Sequence, residues 1–201
     1  MITRQHGLVR MAPAVILAVA AFVALGCGGG NDSTTNVGPT TVFTPDTPSP
    51  AAGTVALLAG TTSGAAFVVR VTVTDTNAFF GAAFRVSYDT TALLFSGMND
   101  SGSFLHEGVT DGDVLFFADA TSVPGQVVIT ATRLNPTVAP PIDVVGTSDL
   151  VTLTFSARKV ILPATPEGRL DFADPKQVCD GSVSPCGPIT VTWSGGSVTA
   201  Q

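Results

Sequence analysis

Charge is what this sequence has least of. Asp, Glu, Lys and Arg make up 12% of its 201 residues, about half the share usual in a soluble domain. Lysine occurs only at Lys159 and Lys176, and no basic run exists. Neutralising nucleic-acid phosphates takes clustered Lys and Arg, so that partner class is excluded. Histidine is as scarce, with His106 the only one beyond His6. A lone histidine offers no pair for a metal, and no Ser-His-Asp set assembles around it. His106 therefore reads as a loop residue, and the chain reads as non-catalytic. Trp193 and Tyr88 are the sole Trp and Tyr, each on the apolar side of its segment. That is too little for the strip of exposed rings that stacks on a crystalline polysaccharide. The longest apolar run, Ala12 to Ala24, has 13 residues, short of the roughly 20 that span a bilayer.

That run has a recognisable setting. Arg4, His6 and Arg10 precede it, and a small-residue stretch with Cys27 follows. A basic start, an apolar middle and a small-residue end are the plan of a secretory signal; a short membrane anchor or buried helix is the alternative. Leu25-Gly26-Cys27 resembles a bacterial lipobox, with Ala24 where Leu is more usual. The resemblance implies a signal peptide over residues 1–26, diacylglycerol on the Cys27 sulfur, and cleavage before it. Acyl chains bury methylenes worth about 0.8 kcal/mol each, and more than one chain anchors stably. Gly28 stands where Asp would resemble an inner-membrane retention signal, so an outer-membrane or cell-surface location is expected. Removing Arg4 and Arg10 leaves seven cationic side chains against fifteen acidic ones.

Residues 27–53 are dominated by Gly, Pro, Ser and Thr without hydrophobic periodicity, the composition of a flexible tether. The folded part is then expected over residues 54–201. With Cys27 lipidated, Cys179 and Cys186 remain, flanking the turn-rich stretch DGSVSP. In an exported chain a disulfide is the expected outcome, stabilising the fold by about 2.5 kcal/mol. A metal site is the competing reading, but no histidine lies nearby to complete it. Asp111, Asp113 and Asp119 could supply oxygen ligands to calcium. Their spacing lacks the full Asp-x-Asp-x-Asp-Gly loop, and an acidic hairpin is the plainer reading.

From Thr54 onward the pattern has period two. Phe67, Val69, Val71 and Val73 fall on one face, with Arg70, Thr72 and Thr74 on the other. Phe84, Val86 and Tyr88 alternate in the same way with Arg85 and Ser87. These are half-buried strands. Further strands are expected over 114–118, 126–132, 150–156 and 169–172, and over 189–193 running on to 197–199. Turn signals separate them, among them Asp75-Thr76-Asn77, Asp111-Gly112, Pro124-Gly125 and Gly195-Gly196. Many short β-branched strands with frequent Gly and Pro predict an all-β sandwich or barrel.

Four segments carry a resemblance. FVVRVTVTDT precedes GAAFRVSYDTTALLF, in which Tyr88-Asp89 and Leu93 or Leu94 form a YD-x-x-L-like step, with Thr90 where Pro is common. GSFL at 102–105, DLVTLTFSA at 149–157, and RLDFAD at 169–174 followed by ITVTWSGGSVT at 189–199 complete the order. Together they resemble a cohesin domain, the module that receives dockerins in bacterial cellulosomes and related assemblies. The resemblance implies a jelly-roll β-sandwich of about nine strands. It also implies a flat sheet face that docks a small helical, calcium-loaded protein, so any calcium would arrive with the partner and the chain itself needs no cofactor. Outward side chains on the candidate central strands are Arg85, Ser87, Val128, Thr130 and Thr132. They are the expected partner-binding residues, or else plain solvent-facing residues of a sheet. The leading functional reading is a surface-anchored binding module for a dockerin-bearing protein, in an assembly linked to polysaccharide breakdown. A carbohydrate-binding module that engages a glycan through polar loops, and a structural envelope lipoprotein, are the alternatives.

Overall fold

A computed structural model of the chain describes residues 39–182 and 187–201. The expected signal peptide, the lipidation site Cys27, most of the expected tether and Cys186 lie outside these residues. The strands are β1 (Thr41–Pro45), β2 (Thr54–Ser63), β3 (Ala66–Phe79), β4 (Gly81–Ser87), β5 (Leu93–Asn99) and β6 (Val114–Asp119). They continue as β7 (Gln126–Arg133), β8 (Ile142–Ala157), β9 (Arg169–Cys179), β10 (Pro188–Ile189), β11 (Thr192–Ser194) and β12 (Gly196–Ala200). Three single-turn 3-10 helices, Phe104–His106, Asp111–Asp113 and Pro166–Gly168, sit in the connections.

One sheet has seven strands in the order β1-β12-β9-β4-β7-β6, with β10 pairing off β9, and the other has five in the order β11-β2-β3-β8-β5. The alternation that marked β3 and β4 in the sequence supplies the core between them. Phe67, Val69, Val71 and Val73 of β3, Leu153 and Phe155 of β8, Phe84 and Val86 of β4, and Val127 and Ile129 of β7 are all at most 1% exposed. Rings lock the two ends of this layer. Phe155 meets Phe67, Tyr88 and Phe95 at centroid distances of 5.8, 5.5 and 5.4 Å. Trp193 lies 5.8 Å from Phe84 and 4.8 Å from Phe172. Tyr88 and Trp193 are therefore packed against the core, as their sequence positions implied.

Four expectations change. First, the folded part starts before residue 54, because β1 pairs along β12 from Thr41↔Ala200 to Pro45↔Gly196. A single inward ring, Phe43 at 4% exposure, is too short a signal to stand out from a Pro- and Thr-rich stretch. Pro45 is compatible with it because β1 is an edge strand. Second, Asp75-Thr76-Asn77 makes no chain reversal. β3 runs through it with bulges, and Asp75 and Ala78 adopt φ of 40° and 52°. The polar groups that suggested a turn hold the bulged ladder instead: Gly146 N–H donates to Asp75 Oδ1 at 2.6 Å, and Ala78 N–H to Asp143 Oδ1 at 2.8 Å. Third, Thr72 and Thr74 are buried rather than solvent-facing. Their hydroxyls are satisfied within the sheet, by Ala56 O at 3.3 Å and Thr147 Oγ1 at 2.9 Å. Fourth, the last expected strand is three strands. β10 joins the seven-stranded sheet, β11 runs parallel to β2 in the other, and β12 returns to the first. The crossing needs Gly195 and Gly196: a Cβ on Gly195 would lie 2.5 Å from Leu170 O, and one on Gly196 2.3 Å from the Phe43 ring.

An ion-pair cluster pins the early strand. Arg169 on β9 donates from both terminal nitrogens to Asp46, at 2.9 and 2.8 Å, and also binds Asp171. The Arg169 hydrogen bond holds the Asp46 carboxyl below its ordinary 3.8, with partial desolvation opposing and the Arg169 charge assisting. A depressed folded-state pKa stabilises above the unfolded value and loses that contribution as pH falls through the folded one. Asp46→Asn is therefore expected to lower the melting temperature slightly at pH 7, by less than about 1 kcal/mol for so exposed a pair. The difference from wild type should shrink below about pH 4. Melting curves of the two proteins from pH 7 down to pH 2 check this; a difference that grows in acid contradicts it.

Candidate functional site

The seven-stranded sheet turns one surface to the core and the other to solvent, and its register decides which side chains share the outer surface. Reading across β6, β7, β4 and β9, Phe117 lies beside Thr130, Ala83 and Gln177, and the next outward row runs Asp119, Val128, Arg85 and Ala173. Leu115 and Thr132 flank the first row, and Ser87 and Asp171 the second. Strands sit about 4.8 Å apart, so these four form a shallow plate. All five side chains expected at a binding face, Arg85, Ser87, Val128, Thr130 and Thr132, fall on it, each partly exposed.

Their polar atoms are not equally available. Ser87 Oγ donates to Asp171 O at 3.1 Å and Thr132 Oγ1 to Arg133 O at 2.9 Å. Asp119 Oδ1 accepts from Thr121 N–H and Oγ–H at 2.7 and 2.6 Å. The Thr121 hydroxyl and backbone bonds hold the Asp119 carboxyl at about 2, so it remains an anion committed to its own turn. Of the other two carboxylates weighed as calcium ligands, Asp113 is likewise spent on Thr110 N and Oγ1, and Asp111 is fully exposed, 3.5 Å from His106 Nδ1.

Two side chains on this plate escaped sequence reasoning, and they are its apolar part. Leu115 is 45% and Phe117 51% exposed. Among the described residues Phe117 is the only exposed aromatic ring. Four consecutive apolar residues, Val114-Leu115-Phe116-Phe117, masked the alternation. Strand geometry nonetheless requires two of four successive side chains to point outward, and that count was available from the sequence. Phe116 faces the other way and stacks on His106 at 5.1 Å. His106 closes the 3-10 turn beside β6, with Nε2 3.3 Å from Asp100 and Nδ1 3.5 Å from Asp111. It is a connecting-loop residue, as expected.

Behind the plate, Arg133 at the end of β7 is 3% exposed. Its Nε donates to Leu105 O at 3.2 Å and its terminal nitrogens to the carbonyls of Pro140 and Glu107. Burial pushes this guanidinium's pKa down, with Glu107 opposing. One side chain thus gathers the loops on both sides of the β6–β7 pair.

Known proteins bear on this arrangement in three ways. The family model for the cohesin domain matches residues 54–173. No curated protein matches the chain. Among solved structures, a type II cohesin domain from the cellulosome of Acetivibrio cellulolyticus superposes with a TM-score of 0.50 at 14% identity, covering 81% of this chain and 95% of that one. The sixth cohesin of scaffoldin B from the same organism, solved with a Cel5 dockerin, gives 0.47 at 16% identity, covering 79% and 95%. A cohesin from Clostridium acetobutylicum gives 0.42 at 22% identity, covering 77% and 92%.

Proposed function

The chain belongs to the cohesin domain family, whose members are non-catalytic docking modules, and from that premise we propose that it receives a dockerin-type protein on the outer plate of β6, β7, β4 and β9. The observation that carries this reading is the placement of Phe117 and Leu115. They are half-exposed on the sheet face that also carries Val128, Thr130 and, two strands from Phe117, Arg85. Exposed apolar side chains rimmed by polar ones mark interaction surfaces, and interface energy concentrates in such aromatic anchors. A helix with an apolar stripe fits a plate of this kind.

The module is held at the cell envelope through acylated Cys27, by the leader pattern of residues 1–26, with the stretch up to β1 as spacer. A Cys179–Cys186 bond closes the loop after β9. Its support is the local pairing: Pro188 lies opposite Cys179, and Asp180 N–H donates to Gly187 O at 2.8 Å. Polysaccharide enters this reading as the substrate of the docked protein. The packing of Tyr88 and Trp193 against the core leaves no ring strip among the described residues for a sugar surface.

The test uses the membrane-extracted chain, whose intact mass reads the acyl groups on Cys27 and a disulfide as two missing hydrogens. Purified dockerin modules encoded in the same genome are titrated against it with calcium present. Saturable binding that a chelator reverses is expected, and Phe117→Asp should weaken it by about 2 kcal/mol, roughly thirtyfold. Binding by none of these dockerins, with saturable binding on a glycan array, would replace the proposal with a carbohydrate-binding role.

A further inference from the structure

Arg85 occupies the middle of the plate with its bonding capacity largely unspent. Its Nε is buried and has no hydrogen-bond partner. Nη1 reaches Gln126 Oε1 at 3.3 Å and Asp174 O at 3.4 Å, both at the long end for such bonds. A guanidinium offers five donors in a planar fork matched to a carboxylate, yet every acid around it is engaged elsewhere. Asp119 is held by Thr121, Asp171 by Arg169 and Asp174 lies 3.5 Å from Lys176. Arg70 pairs with Asp149 and Lys159 with Glu167, each at 2.7 Å, and buried Arg133, which has no acid partner, spends its fork on three backbone carbonyls instead. In a chain with fifteen acidic side chains against nine cationic ones, a central arginine without one is a vacancy for an anion from outside.

We infer that Arg85 determines specificity on this face, by requiring a carboxylate on the docked protein set about two helical turns from the apolar side chains that cover Phe117 and Leu115. The inference rests on the docking reading above. The spacing follows from the register. Arg85 on β4 lies two strands from Phe117 on β6 and one outward row along, a diagonal of about 12 Å at ordinary strand and residue spacings. On a helix rising 1.5 Å per residue, about 12 Å is seven or eight positions, which returns to the same side of the helix. A partner helix laid along that diagonal therefore presents an apolar residue to Phe117 and an Asp or Glu to Arg85. The acid's two oxygens can fork onto the two terminal nitrogens, the end of the guanidinium that a docked partner can reach.

The experiment titrates the full chain as wild type, Arg85→Gln, Arg85→Glu and Arg158→Gln. The probe is the panel of purified dockerin modules in calcium, at about 50 and 300 mM salt. For a dockerin that binds wild type, Arg85→Gln is expected to weaken binding about thirtyfold and Arg85→Glu further. Arg158→Gln removes the same charge away from the plate and should leave binding unchanged. Reversing the partner's matching acid to Lys should weaken wild type and restore Arg85→Glu, a rescue that a misfolded variant could not give. If Arg85→Gln binds within about twofold of wild type while Phe117→Asp, titrated alongside, is weakened about thirtyfold, the inference is overturned and the docking face stands. If no dockerin binds wild type, both fall together.

Discussion

Replacing Phe155 with Ala is expected to destabilise the sandwich by about 4 kcal/mol, in line with truncation of large buried aromatics. Phe155 is fully buried, and it sits where both sheets converge. It stacks on Phe67 of the neighbouring strand, and it takes the edges of Tyr88 from the chain just past β4 and Phe95 from β5. Removing it deletes the ring that three others share. β8 is paired on both sides, by β3 and β5, so its backbone cannot collapse into the space. At about 2–4 °C per kcal/mol for a domain of this size, the melting temperature should fall by roughly 8–16 °C. Thermal unfolding by circular dichroism reads this directly. A fall of only a degree or two would mean that the aromatic cluster does not hold the two sheets together.

Arg133→Met should cost about 3 kcal/mol, and its effect should be local as well as global. Methionine matches the aliphatic stem but leaves the carbonyls of Leu105, Glu107 and Pro140 without their shared donor. An unsatisfied buried acceptor such as the Leu105 carbonyl costs about 1–3 kcal/mol, and the partly buried carbonyls of Glu107 and Pro140 cost less. Part of that is offset, because the variant no longer has to keep a cation out of water. Hydrogen exchange should show faster opening of residues 104–107 and 134–140 while the amides of β3 and β8 keep their protection. Arg133→Lys should recover only part of the loss, since an ammonium cannot fork to three carbonyls in one plane. Uniform loss of protection across both sheets would show that Arg133 supports the whole core rather than the β6–β7 end.

Much of the architecture was legible because β4, β7 and the first half of β3 alternate, and alternation fixes both strand identity and facing. The candidate face was partly legible for the same reason. Arg85 and Ser87 alternate with Phe84 and Val86, so their outward direction could be read without knowing the neighbours. Phe117 was not legible in that way, since in Val-Leu-Phe-Phe every residue looks like core, and only the pairing of β6 with β7 assigns the outward pair. β1 was hidden for a different reason. Its single buried ring is held by a strand more than 150 residues away, a contact that no local window contains. The Asp75–Asn77 segment misled because Asp and Asn favour left-handed backbone wherever it occurs, and a bulge uses that preference as readily as a turn.

The pairing of β1 with β12 carries over into how the module can be handled genetically. Thr40 and Gln201 exchange two backbone hydrogen bonds, at 2.7 and 3.1 Å, so the polypeptide enters and leaves this fold at one corner, about a strand spacing apart. A unit with both doors on the same step can be spliced into an exposed loop of an unrelated scaffold without prising that host open. Its plate, built on β6, β7, β4 and β9, would still face away into solvent.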